Sequence, residues 1–600
     1  MQSFAYFDGL DDAALASATA CMREFVLPGG SLLFSEGDVS DAIYFLMSGR
    51  CRAFKGGRSV GAIHPGEPIG EIGYFARVPR TATIMAERDC TLCSLSYEAL
   101  GRLIADFPQI GLSMARVLAE RIGDSKSRQD RGRTRTVAFL FGADMNADLR
   151  AQCAAQIEAL FAARHRSSVV TLARILAQFH ITPEALPDAH HIDRWLSDEE
   201  RSHDFVLYFA GLDDPPEWQA ECQRQADRLY ILHRHAADAR VRPAEAAVLE
   251  ARRNRHVGLI LLQAGAQAST IRGTARWTDE RQVQDLFHIL PQDHSGWSRI
   301  ARTLSGDAVG LVLAGGGALY PMHLGVMKAL LEAGLRFDHV GGSSAGACAA
   351  VGYALGVSPQ DFAKIMHGIV GTNRALSRFT VPLYGLVDPA IFDRELMAAC
   401  DGRDVEDLAV PFFATAVNLS RNRFEILDRG PVWEALRASA SIPGLLPPYV
   451  RNGDLLSDGA AYDSLPVSAM RERISGPTIA VSFPDSGPPV RYDYASRTTA
   501  FQRAMDYARL KPLEGKDATF PHMIDSLMRV FHFSGSSRLA ESLRASDLVF
   551  EPPTPAGTGM LSWDKHELLF EQGYRYGAEQ LEEMAREGDA GLARITAALA

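Results

Sequence analysis

Residues 308–317 read Ala-Val-Gly-Leu-Val-Leu-Ala-Gly-Gly-Gly, and residues 335–346 read Leu-Arg-Phe-Asp-His-Val-Gly-Gly-Ser-Ser-Ala-Gly. The apolar run from Ala308 to Leu313 predicts a buried strand, Leu335 to Gly341 is interpreted as a second strand, and each leads into a glycine-framed turn. The second turn has the pattern Gly-x-Ser-x-Gly around Ser344 and precedes a helix-forming run. Glycines on both sides permit a sharp turn that exposes the serine hydroxyl. The sequence therefore predicts an α/β fold that presents Ser344 as a nucleophile.

The first turn, Gly315-Gly316-Gly317, predicts what such a nucleophile needs next. A glycine loop that opens a helix aims free backbone N–H groups at one point, where an oxyanion could be held. Two phosphate-binding alternatives fail, because a Rossmann fingerprint would need glycine where Tyr320 stands and a P-loop would need Gly-Lys-Ser/Thr, which is absent. Strand-to-helix turns are also rich in glycine and serine for conformational reasons alone, so the two turns by themselves leave a structural interpretation open.

A third segment, Leu455-Leu456-Ser457-Asp458-Gly459-Ala460, is followed by Leu465-Pro466. With the two turns it resembles the patatin-like phospholipase family, whose pattern is a Gly-Gly-Gly loop, a Gly-x-Ser-x-Gly turn and a later Asp-Gly-Gly/Ala. The resemblance implies Ser344 as nucleophile and Asp458 as general base, with no histidine required. Without the family pattern, Asp454 and Asp463 would compete with Asp458. The residues that the resemblance assigns to the oxyanion hole are Gly315, Gly316, Gly317 and Ala318.

The match to the family departs after Ala318. The family usually continues with an arginine and another glycine, whereas Leu319-Tyr320-Pro321 stands here before His323 and Gly325 restore the pattern. A missing positive charge would weaken stabilisation of the oxyanion. For comparison, removal of a whole oxyanion donor costs roughly 2.7 to 4 kcal/mol of transition-state stabilisation. A slow or selective hydrolase is therefore favoured, and an inactive hydrolase domain is the alternative.

The segment from Ala438 to Pro448 is also similar to a family segment, and we interpret it as a structural wall of the site. Thr478 to Phe483 is expected to be another strand of the sheet, with Ser344 and Asp458 at its rim. Residues 484–537 carry less regular signals and are expected to form an insertion, as a lid or as ordinary surface helices. Asp564 to Gly577 resembles the closing helix of the family.

Between Phe25 and Ser96, short apolar runs alternate with turns, a spacing that predicts a small antiparallel β-roll or barrel. Within it, Gly70-Glu71-Ile72-Gly73 and Pro79-Arg80-Thr81-Ala82-Thr83 resemble the phosphate-binding cassette of cyclic nucleotide-binding domains. The resemblance implies that Arg80 meets the cyclic phosphate and that Glu71 accepts from the ribose 2′-OH. The residues it assigns to cyclic AMP or cyclic GMP are Gly70, Glu71, Arg80 and Thr81. The alternative is a barrel that serves only in packing.

From Thr136 onward, strand and helix patterns alternate and predict a doubly wound α/β layer without a phosphate loop. The strand candidates are Val137–Phe141, Val169–Leu172, Phe205–Ala210, Leu229–His233 and Val257–Leu262. The run from Trp195 to Asp227 resembles the segment that precedes the hydrolase domain in the neuropathy target esterase group. That group joins cyclic nucleotide-binding modules to a patatin domain. The expected domains are a cyclic nucleotide-binding domain (1–125), a basic linker (126–135), an α/β intermediate domain (136–304) and a patatin-like domain (305–600).

Composition is that of a globular chain. The 600 residues suit three or four domains, with a hydrophobic fraction of 47%, a charged fraction of 22% and a net charge of −11. The stretch from Lys126 to Arg135 is basic but short, which favours a linker over a DNA-binding element and leaves lipid headgroups as a less favoured contact. The acidic charge argues against a nucleic-acid partner.

No apolar run reaches the roughly 18 residues that span a bilayer, and the first ten residues carry Asp8 instead of basic residues. We therefore expect a cytoplasmic protein with at most peripheral membrane contact. Six of the eight cysteines are isolated, while Cys90 and Cys93 are expected to pack on opposite faces of a strand. His190-His191 and His233-x-His235 show no carboxylate and cysteine cluster in the sequence, so no metal site is predicted.

The resemblance implies hydrolysis of a carboxylic ester in a lipid, most simply a lysophospholipid or a phospholipid acyl chain. Ser344 would form an acyl-enzyme and Asp458 would then activate water, without a catalytic cofactor. Cyclic nucleotide is the expected regulatory ligand. The alternative function is a nucleotide-responsive membrane scaffold whose hydrolase domain is impaired.

Overall fold

The structure is a computed structural model, and it describes residues 12–56, 58–63, 65–87, 89–111, 113–114, 136–182, 190–253, 255–290, 294–381, 383–484, 530, 533, 538–560 and 562–600. The chain divides into two compact units, one made of residues 1–264 and 277–289 and the other of residues 265–276 and 290–600. The basic stretch at 126–135 and nearly all of the expected insertion at 484–537 lie outside the described residues.

The first unit begins with the antiparallel roll that the sequence predicts. Two four-stranded sheets have the orders β1-β8-β3-β6 and β2-β7-β4-β5. The strands are β1 (Arg23–Leu27), β2 (Leu32–Phe34), β3 (Ala42–Ser48), β4 (Cys51–Lys55), β5 (Arg58–Ile63), β6 (Pro68–Ile69), β7 (Thr83–Ala86) and β8 (Cys90–Ser96), and the helices are Asp12–Ala20, Glu71–Ala76 and Tyr97–Asp106. Cys90 and Cys93 are both buried and belong to separate apolar clusters, so the prediction that they pack on opposite faces is confirmed.

The same unit continues with a parallel sheet of six described strands in the order β10-β11-β9-β12-β13-β14. The strands are β9 (Thr136–Phe141), β10 (Ser167–Thr171), β11 (Phe205–Gly211), β12 (Arg228–Arg234), β13 (His256–Leu262) and β14 (Asp285–Ile289), and the helices are Ala147–Ala162, Leu172–Phe179, His190–Ser202, Pro216–Gln225, Pro243–Ala251 and Ala275–Thr278. The five predicted strands are confirmed to within two residues at either end. The sequence reasoning missed β14, a short run that begins with an acid, contains a histidine and pairs with β13.

The second unit is built on a mixed sheet with the order β19-β20-β17-β16-β15-β21-β22, and β18 pairs with β17. The strands are β15 (Gly310–Leu313), β16 (His339–Gly342), β17 (Phe412–Asn418), β18 (Arg423–Leu427), β19 (Tyr449–Arg451), β20 (Asp454–Asp458), β21 (Thr478–Val481) and β22 (Leu548–Phe550). The main helices are His294–Ser305, Tyr320–Glu332, Ala345–Ala354, Pro359–His367, Ala390–Cys400, Val432–Ser439, Val467–Arg471, Leu539–Ala545, His566–Glu587 and Ala590–Leu599. Five strands, β15, β16, β17, β21 and β22, are parallel to one another. Strands β18 and β20 pair antiparallel with β17, and β19 pairs antiparallel with β20.

The two strands that decide this fold are shorter than the sequence predicts, and a buried acid explains why. Asp338 accepts two hydrogen bonds from the guanidinium of Arg302, at 2.8 and 2.7 Å, and a third from Val309 N–H at 3.0 Å. Because this carboxylate takes the Val309 donor, β15 begins only at Gly310 and β16 only after Asp338. The ion pair therefore fixes the entry to both strands.

The expected closing helix is confirmed as part of His566–Glu587, which packs against Tyr320–Glu332. Lys328 Nζ lies 3.4 Å from the ring centroid of Tyr574, and the Tyr574 hydroxyl donates to Glu332 at 2.8 Å. These contacts hold the last long helix against the helix that follows the glycine loop. Within the described residues no helix combines the length and the apolar character needed to cross a membrane.

Candidate active site

Ser344 stands on the sharp turn between β16 and the helix Ala345–Ala354. Its backbone has φ 54° and ψ −124°, a conformation that a side chain rarely adopts and that costs about 1–3 kcal/mol. Neighbouring hydrogen bonds compensate: the Ser344 N–H donates to Ser439 Oγ at 2.9 Å, and Ser343 Oγ donates to the Asp463 carbonyl at 2.7 Å. The turn is therefore held in a strained form by side chains from two other segments.

The hydroxyl of Ser344 donates a hydrogen bond to Asp458 Oδ2 at 2.6 Å. The other oxygen of Asp458 accepts from Ala460 N–H at 2.9 Å, and no ion pair to this carboxylate occurs among the described residues. Burial raises the pKa of Asp458 to about 7, although the two hydrogen bonds oppose the shift. A carboxylate with a pKa near neutrality is well matched to taking a proton from a serine and returning it.

The two competing acids lie elsewhere. Asp454 accepts from Asn418 Nδ2 at 3.0 Å and pairs with Arg421, on the outer part of β20. Asp463 is buried and accepts from Leu465 N–H at 3.2 Å, while its backbone carbonyl supports Ser343. Of the three acids, Asp458 is the one in hydrogen-bond contact with Ser344.

His323 does not take part in this pair. It is fully buried, its Nε2 is 2.8 Å from the Ala314 carbonyl, and burial lowers its pKa to about 4. A neutral imidazole in this position supports the end of β15. Across the described part of the chain, no histidine is hydrogen-bonded to Ser344 or Asp458.

The glycine loop lies beside Ser344, but its four predicted donors are not equivalent. The N–H of Gly315 donates to the Ser464 carbonyl at 2.9 Å, and the N–H of Ala318 donates to the Met560 carbonyl at 2.8 Å. Both donors are thus occupied in this conformation. The N–H groups of Gly316 and Gly317 have no acceptor among the described residues, so they are the two that can receive an oxyanion. Gly317 has φ 54°, and a Cβ there would lie 2.4 Å from the Met560 carbonyl oxygen.

A further donor was missed in the sequence reasoning. The N–H of Ala345 is the first of the helix that follows the nucleophile, and it has no acceptor among the described residues. In hydrolases with a Gly-x-Ser-x-Gly turn, the residue after the serine regularly supplies one oxyanion donor. The motif itself was therefore the signal that could have identified Ala345.

A pocket with about 430 Å³ of empty space, partly open to solvent, reaches Ser344. Its lining is almost entirely apolar and comprises Gly317, Tyr320, Ser344, Ala345, Cys348, Met366, Val370, Leu376, Phe392, Ala440, Ile442, Leu445, Leu446 and Trp563. The hydroxyl of Tyr320 is buried without a hydrogen-bond partner among the described residues, and burial raises its pKa. The apolar lining suits a chain-like apolar ligand, since ligand sites are lined predominantly by hydrophobic and aromatic side chains.

The interpretation of 438–448 as a wall of the site is confirmed, because four of its residues line the pocket. An unpredicted arginine braces this wall. Arg437 is almost fully buried, donates to Ser441 Oγ at 2.6 Å and to Asp393 at 2.5 Å, and reaches the Pro447 carbonyl at 3.2 Å. The Ser441 carbonyl in turn accepts from the N–H of Asp458 at 3.0 Å. Arg437 therefore links the wall to the strand end that carries Asp458.

In the N-terminal roll, the structure brings Gly70, Glu71 and Arg80 together, and Thr81 follows Arg80. The Arg80 side chain is buried, lies 4.1 Å from the ring centroid of Phe34 and approaches the Gly70 carbonyl at 3.5 Å. Gly70 has φ 84°, and a Cβ at this position would meet Arg80 Nη1 at 2.1 Å. The turn before Glu71–Ala76 therefore requires glycine if Arg80 is to lie beneath it.

The site around Arg80 fits an anionic ligand. Arg80 Nη2 pairs at 3.2 Å with Asp41, whose side chain is 76% exposed, while Arg80 Nε is buried without a partner among the described residues. An exposed carboxylate is a weak competitor for a guanidinium, because solvent screens the pair. A cyclic phosphate could thus replace Asp41 and also satisfy the unpartnered nitrogen.

The edge of the parallel sheet beside β9 and β12, where doubly wound folds bind ligands, holds a network of side chains. Asp144 lies 2.7 Å from His233 Nδ1, His233 Nε2 is 3.5 Å from Glu245, and Glu245 pairs with the buried Arg281. Burial lowers the pKa of His233, but the two acids outweigh it and the net shift is upward. The sequence around His233 does not reveal these acids, because they come from distant segments of the chain. No cluster able to hold a metal ion occurs in the described part of the chain.

Comparison with known families agrees with this architecture. A patatin-like phospholipase model matches residues 311–471, a cyclic nucleotide-binding domain model matches residues 24–107, and the neuropathy target esterase family P-loop like domain model matches residues 153–302. The fold and the site thus define a patatin-like lipid ester hydrolase. With the other two matches, the chain has the domain order of the neuropathy target esterase group and is similar to proteins of that name.

Similar whole proteins carry related names. An uncharacterized NTE family protein of Mycobacterium bovis is 27% identical over 94% of this chain and 93% of its own length. The lysophospholipase nte1 of Aspergillus fumigatus is 26% identical over 93% of this chain but 42% of its own length. Among solved structures, the catabolite activator protein of Thermus thermophilus is 26% identical over 26% of this chain and 65% of that chain, with a TM-score of 0.19.

Proposed function

We propose that this protein is a serine esterase that hydrolyses acyl ester bonds of lysophospholipids or phospholipids through Ser344 and Asp458. The observation that carries the proposal is the 2.6 Å hydrogen bond between Ser344 Oγ and a buried Asp458 on the turn of a patatin-like fold. The names of the fungal relatives, which are lysophospholipases, support the lipid substrate. In this proposal the domains are 1–125, 136–304 and 305–600, with the linker at 126–135.

The reaction begins when the carboxylate of Asp458 takes the proton of Ser344 as Oγ bonds to the ester carbonyl carbon. The carbonyl oxygen becomes an oxyanion, which the N–H groups of Gly316, Gly317 and Ala345 stabilise. Collapse of this intermediate breaks the bond to the alcohol, which leaves with the proton from Asp458. The glycerol backbone, which still carries the phosphate headgroup, is thereby released, and the acyl chain remains on Ser344.

Deacylation reverses the roles. Asp458 takes a proton from water, the resulting oxygen attacks the acyl carbon, and the same N–H groups hold the second oxyanion. When the bond to Ser344 breaks, Oγ regains the proton and a fatty acid leaves. The apolar lining of the pocket, including Met366, Phe392 and Leu446, suits the acyl chain in both steps.

A second candidate function is a nucleotide-responsive scaffold with an impaired hydrolase domain. The occupied N–H of Ala318 and the departure at Leu319-Tyr320 favour it, because both reduce the stabilisation available to an oxyanion. Turnover separates the two candidates, since a scaffold would bind lipid without releasing fatty acid.

Cyclic nucleotide is proposed as a regulatory ligand of the N-terminal roll. Arg80 would take the phosphate in place of Asp41, and Glu71 would accept from the ribose, at the start of the helix Glu71–Ala76. No catalytic cofactor is part of the proposal. The protein would act in the cytoplasm, at the surface of a membrane that supplies its substrate.

The test is fatty-acid release from lysophosphatidylcholine by the full chain, with labelling of Ser344 by a fluorophosphonate probe. Ser344→Ala should abolish both release and labelling. Ser468→Ala, at an exposed serine of the helix Val467–Arg471, is the matched control and should leave both unchanged. Release that persisted in Ser344→Ala would overturn the assignment, and lack of release by the parent protein with intact labelling would favour the scaffold.

A further inference from the structure

Near the pocket, residues 378–381 and 383–388 form a hairpin, which we call the apolar hairpin. Its arms are joined by backbone hydrogen bonds from Asp388 N–H to the Arg378 carbonyl at 2.9 Å and from Thr380 N–H to the Leu386 carbonyl at 2.8 Å. An isolated β-bridge between Phe379 and Val387 lies between them. The hairpin is thus an ordered element of the second unit.

The outer part of the apolar hairpin exposes large hydrophobic side chains. Their exposed fractions are 75% for Phe379, 71% for Val381, 76% for Leu383 and 82% for Tyr384. Single exposed apolar residues are common on protein surfaces, but a cluster of this kind marks a surface that contacts an apolar partner. Four such residues within one short hairpin are therefore evidence for a docking surface.

The base of the apolar hairpin is continuous with the pocket that contains Ser344. Leu376, just before the first arm, lines that pocket. On the returning arm, Leu386 N–H donates to the Gly444 carbonyl at 3.1 Å and Val387 N–H donates to the Leu445 carbonyl at 2.9 Å. Because Leu445 also lines the pocket, both ends of the hairpin are attached to its wall. A surface that the hairpin touches would lie close to the pocket.

Basic side chains flank the apolar residues. Arg374 and Arg378 are both exposed, and neither forms an ion pair among the described residues. The chain as a whole carries a net charge of −11, so two exposed arginines beside an apolar tip stand out. Apolar and aromatic side chains bordered by arginine are the combination that suits the interface of a bilayer with anionic headgroups.

We propose that the apolar hairpin docks on the surface of a lipid bilayer and inserts Phe379, Val381, Leu383 and Tyr384 among the headgroups. The inference rests on the proposed function in that it assigns the surface from which the lipid substrate enters the pocket. Arg374 and Arg378 contact phosphates of anionic lipids in this arrangement. A second copy of the chain is the competing occupant of the same apolar surface.

The experiment measures sedimentation of the full chain with vesicles of phosphatidylcholine containing one fifth phosphatidylserine. The double variant Leu383→Asp/Tyr384→Asp should weaken binding about tenfold or more, because two apolar side chains no longer leave water. The same variant should keep its turnover of a dissolved short-chain ester, since neither residue lines the pocket. The control is Leu419→Asp, which places a single aspartate at a residue 47% exposed in the same unit.

A second pair of variants tests the charge contribution. Arg374→Gln/Arg378→Gln should weaken binding to the anionic vesicles by roughly fivefold for each arginine, with little change on pure phosphatidylcholine. Vesicle binding by Leu383→Asp/Tyr384→Asp that equals the parent would refute the proposal, even if Ser344-dependent hydrolysis is intact. A parent that fails to bind vesicles, but self-associates through a contact that the double variant breaks, would instead assign the surface to a second copy. Absence of ester hydrolysis in a vesicle-binding parent would refute only the proposed function.

Discussion

Asp458 and Ser344 are joined by a hydrogen bond of 2.6 Å, and no described cation compensates the charge of the fully buried Asp458 carboxylate. The carboxylate is consequently held near its point of ionisation at neutral pH, and burial is the cause of its raised pKa. The proposed reaction at Ser344 needs the ionised form, because only that form can accept the serine proton.

Activity should therefore depend on pH in the neutral range. The pKa of Asp458 is about 7, so kcat/KM should fall as the pH drops below that value and approach a tenfold loss per pH unit. The measurement is hydrolysis of a dissolved short-chain ester from pH 5 to 9 by the full chain. A profile that stays flat down to pH 5 would mean that the free enzyme holds Asp458 ionised by a contact outside the described residues.

The two members of the pair should behave as one unit. Ser344→Ala and Asp458→Asn should each lower kcat by a factor of at least about 10³. The double variant should have a kcat little lower than either single variant, because effects of residues that act together are not additive. Esterase assays of the three variants provide the test. Asp454→Asn is the matched control for Asp458→Asn, since Asp454 lies on the same strand and pairs with Arg421 away from the serine. Near-parent turnover in Asp458→Asn would exclude Asp458 as the base.

Removal of the Asp458 charge should also stabilise the protein above neutrality. The pKa of this acid is raised from about 3.9 in the unfolded chain to about 7 in the folded one. Its contribution to stability is thus fully present below pH 4 and is lost as the pH rises through 7. Relative to the parent, Asp458→Asn should gain stability at pH 8, on the order of a few kcal/mol, and much less at pH 5. Urea denaturation at the two pH values measures the difference, and an equal effect at both would contradict the assignment of the shift.

Tyr320 offers a separate test of the pocket. Its hydroxyl is buried without a partner among the described residues, so Tyr320→Phe should leave the free energy of unfolding unchanged or raise it by up to about 1–3 kcal/mol. Tyr353→Phe is a suitable comparison, because the Tyr353 hydroxyl contacts the Phe337 backbone and its loss should destabilise. A marked destabilisation of Tyr320→Phe would reveal a partner such as an ordered water.

Cyclic nucleotide binding should depend on Arg80. Arg80→Ala should weaken it by about 1.5–3 kcal/mol, the value of a charge-assisted hydrogen bond, or by more if the phosphate is left buried and unpaired. Calorimetric titration of the full chain with cyclic AMP and cyclic GMP measures the effect, with Arg102→Ala as a control at an arginine that is 70% exposed. If the parent gives no heat with either ligand up to millimolar concentration, the roll serves only in packing.

Much of the catalytic unit could be predicted because its signals are local. A strand followed by a glycine-framed turn is specified by adjacent residues, and the order of the segments around Gly316, Ser344 and Asp458 is a property of the sequence. The choice of Asp458 over Asp454 and Asp463 needed the family resemblance. In the structure, the three acids differ through long-range contacts, such as the pairing of Asp454 with Arg421.

The remainder depends on contacts between distant segments. The residues of the glycine loop alone predict that the Ala318 N–H is a free donor. In the structure, however, the Met560 carbonyl accepts a hydrogen bond from it. Arg437 sits on an ordinary amphipathic helix, and only the fold brings it to Ser441 and Asp393. The truncation of β15 and β16 likewise follows from the burial of Asp338 with Arg302, which no periodicity in either strand encodes.

The hydrogen bond from Ala318 N–H to the Met560 carbonyl has a consequence for folding of the chain during translation. The glycine loop and Ser344 are translated well before Met560 and Trp563, which hold the loop and line the pocket. A nascent chain that has emerged only as far as β21 therefore lacks the segment that fixes the loop. The hydrolase domain should therefore become competent only late in synthesis.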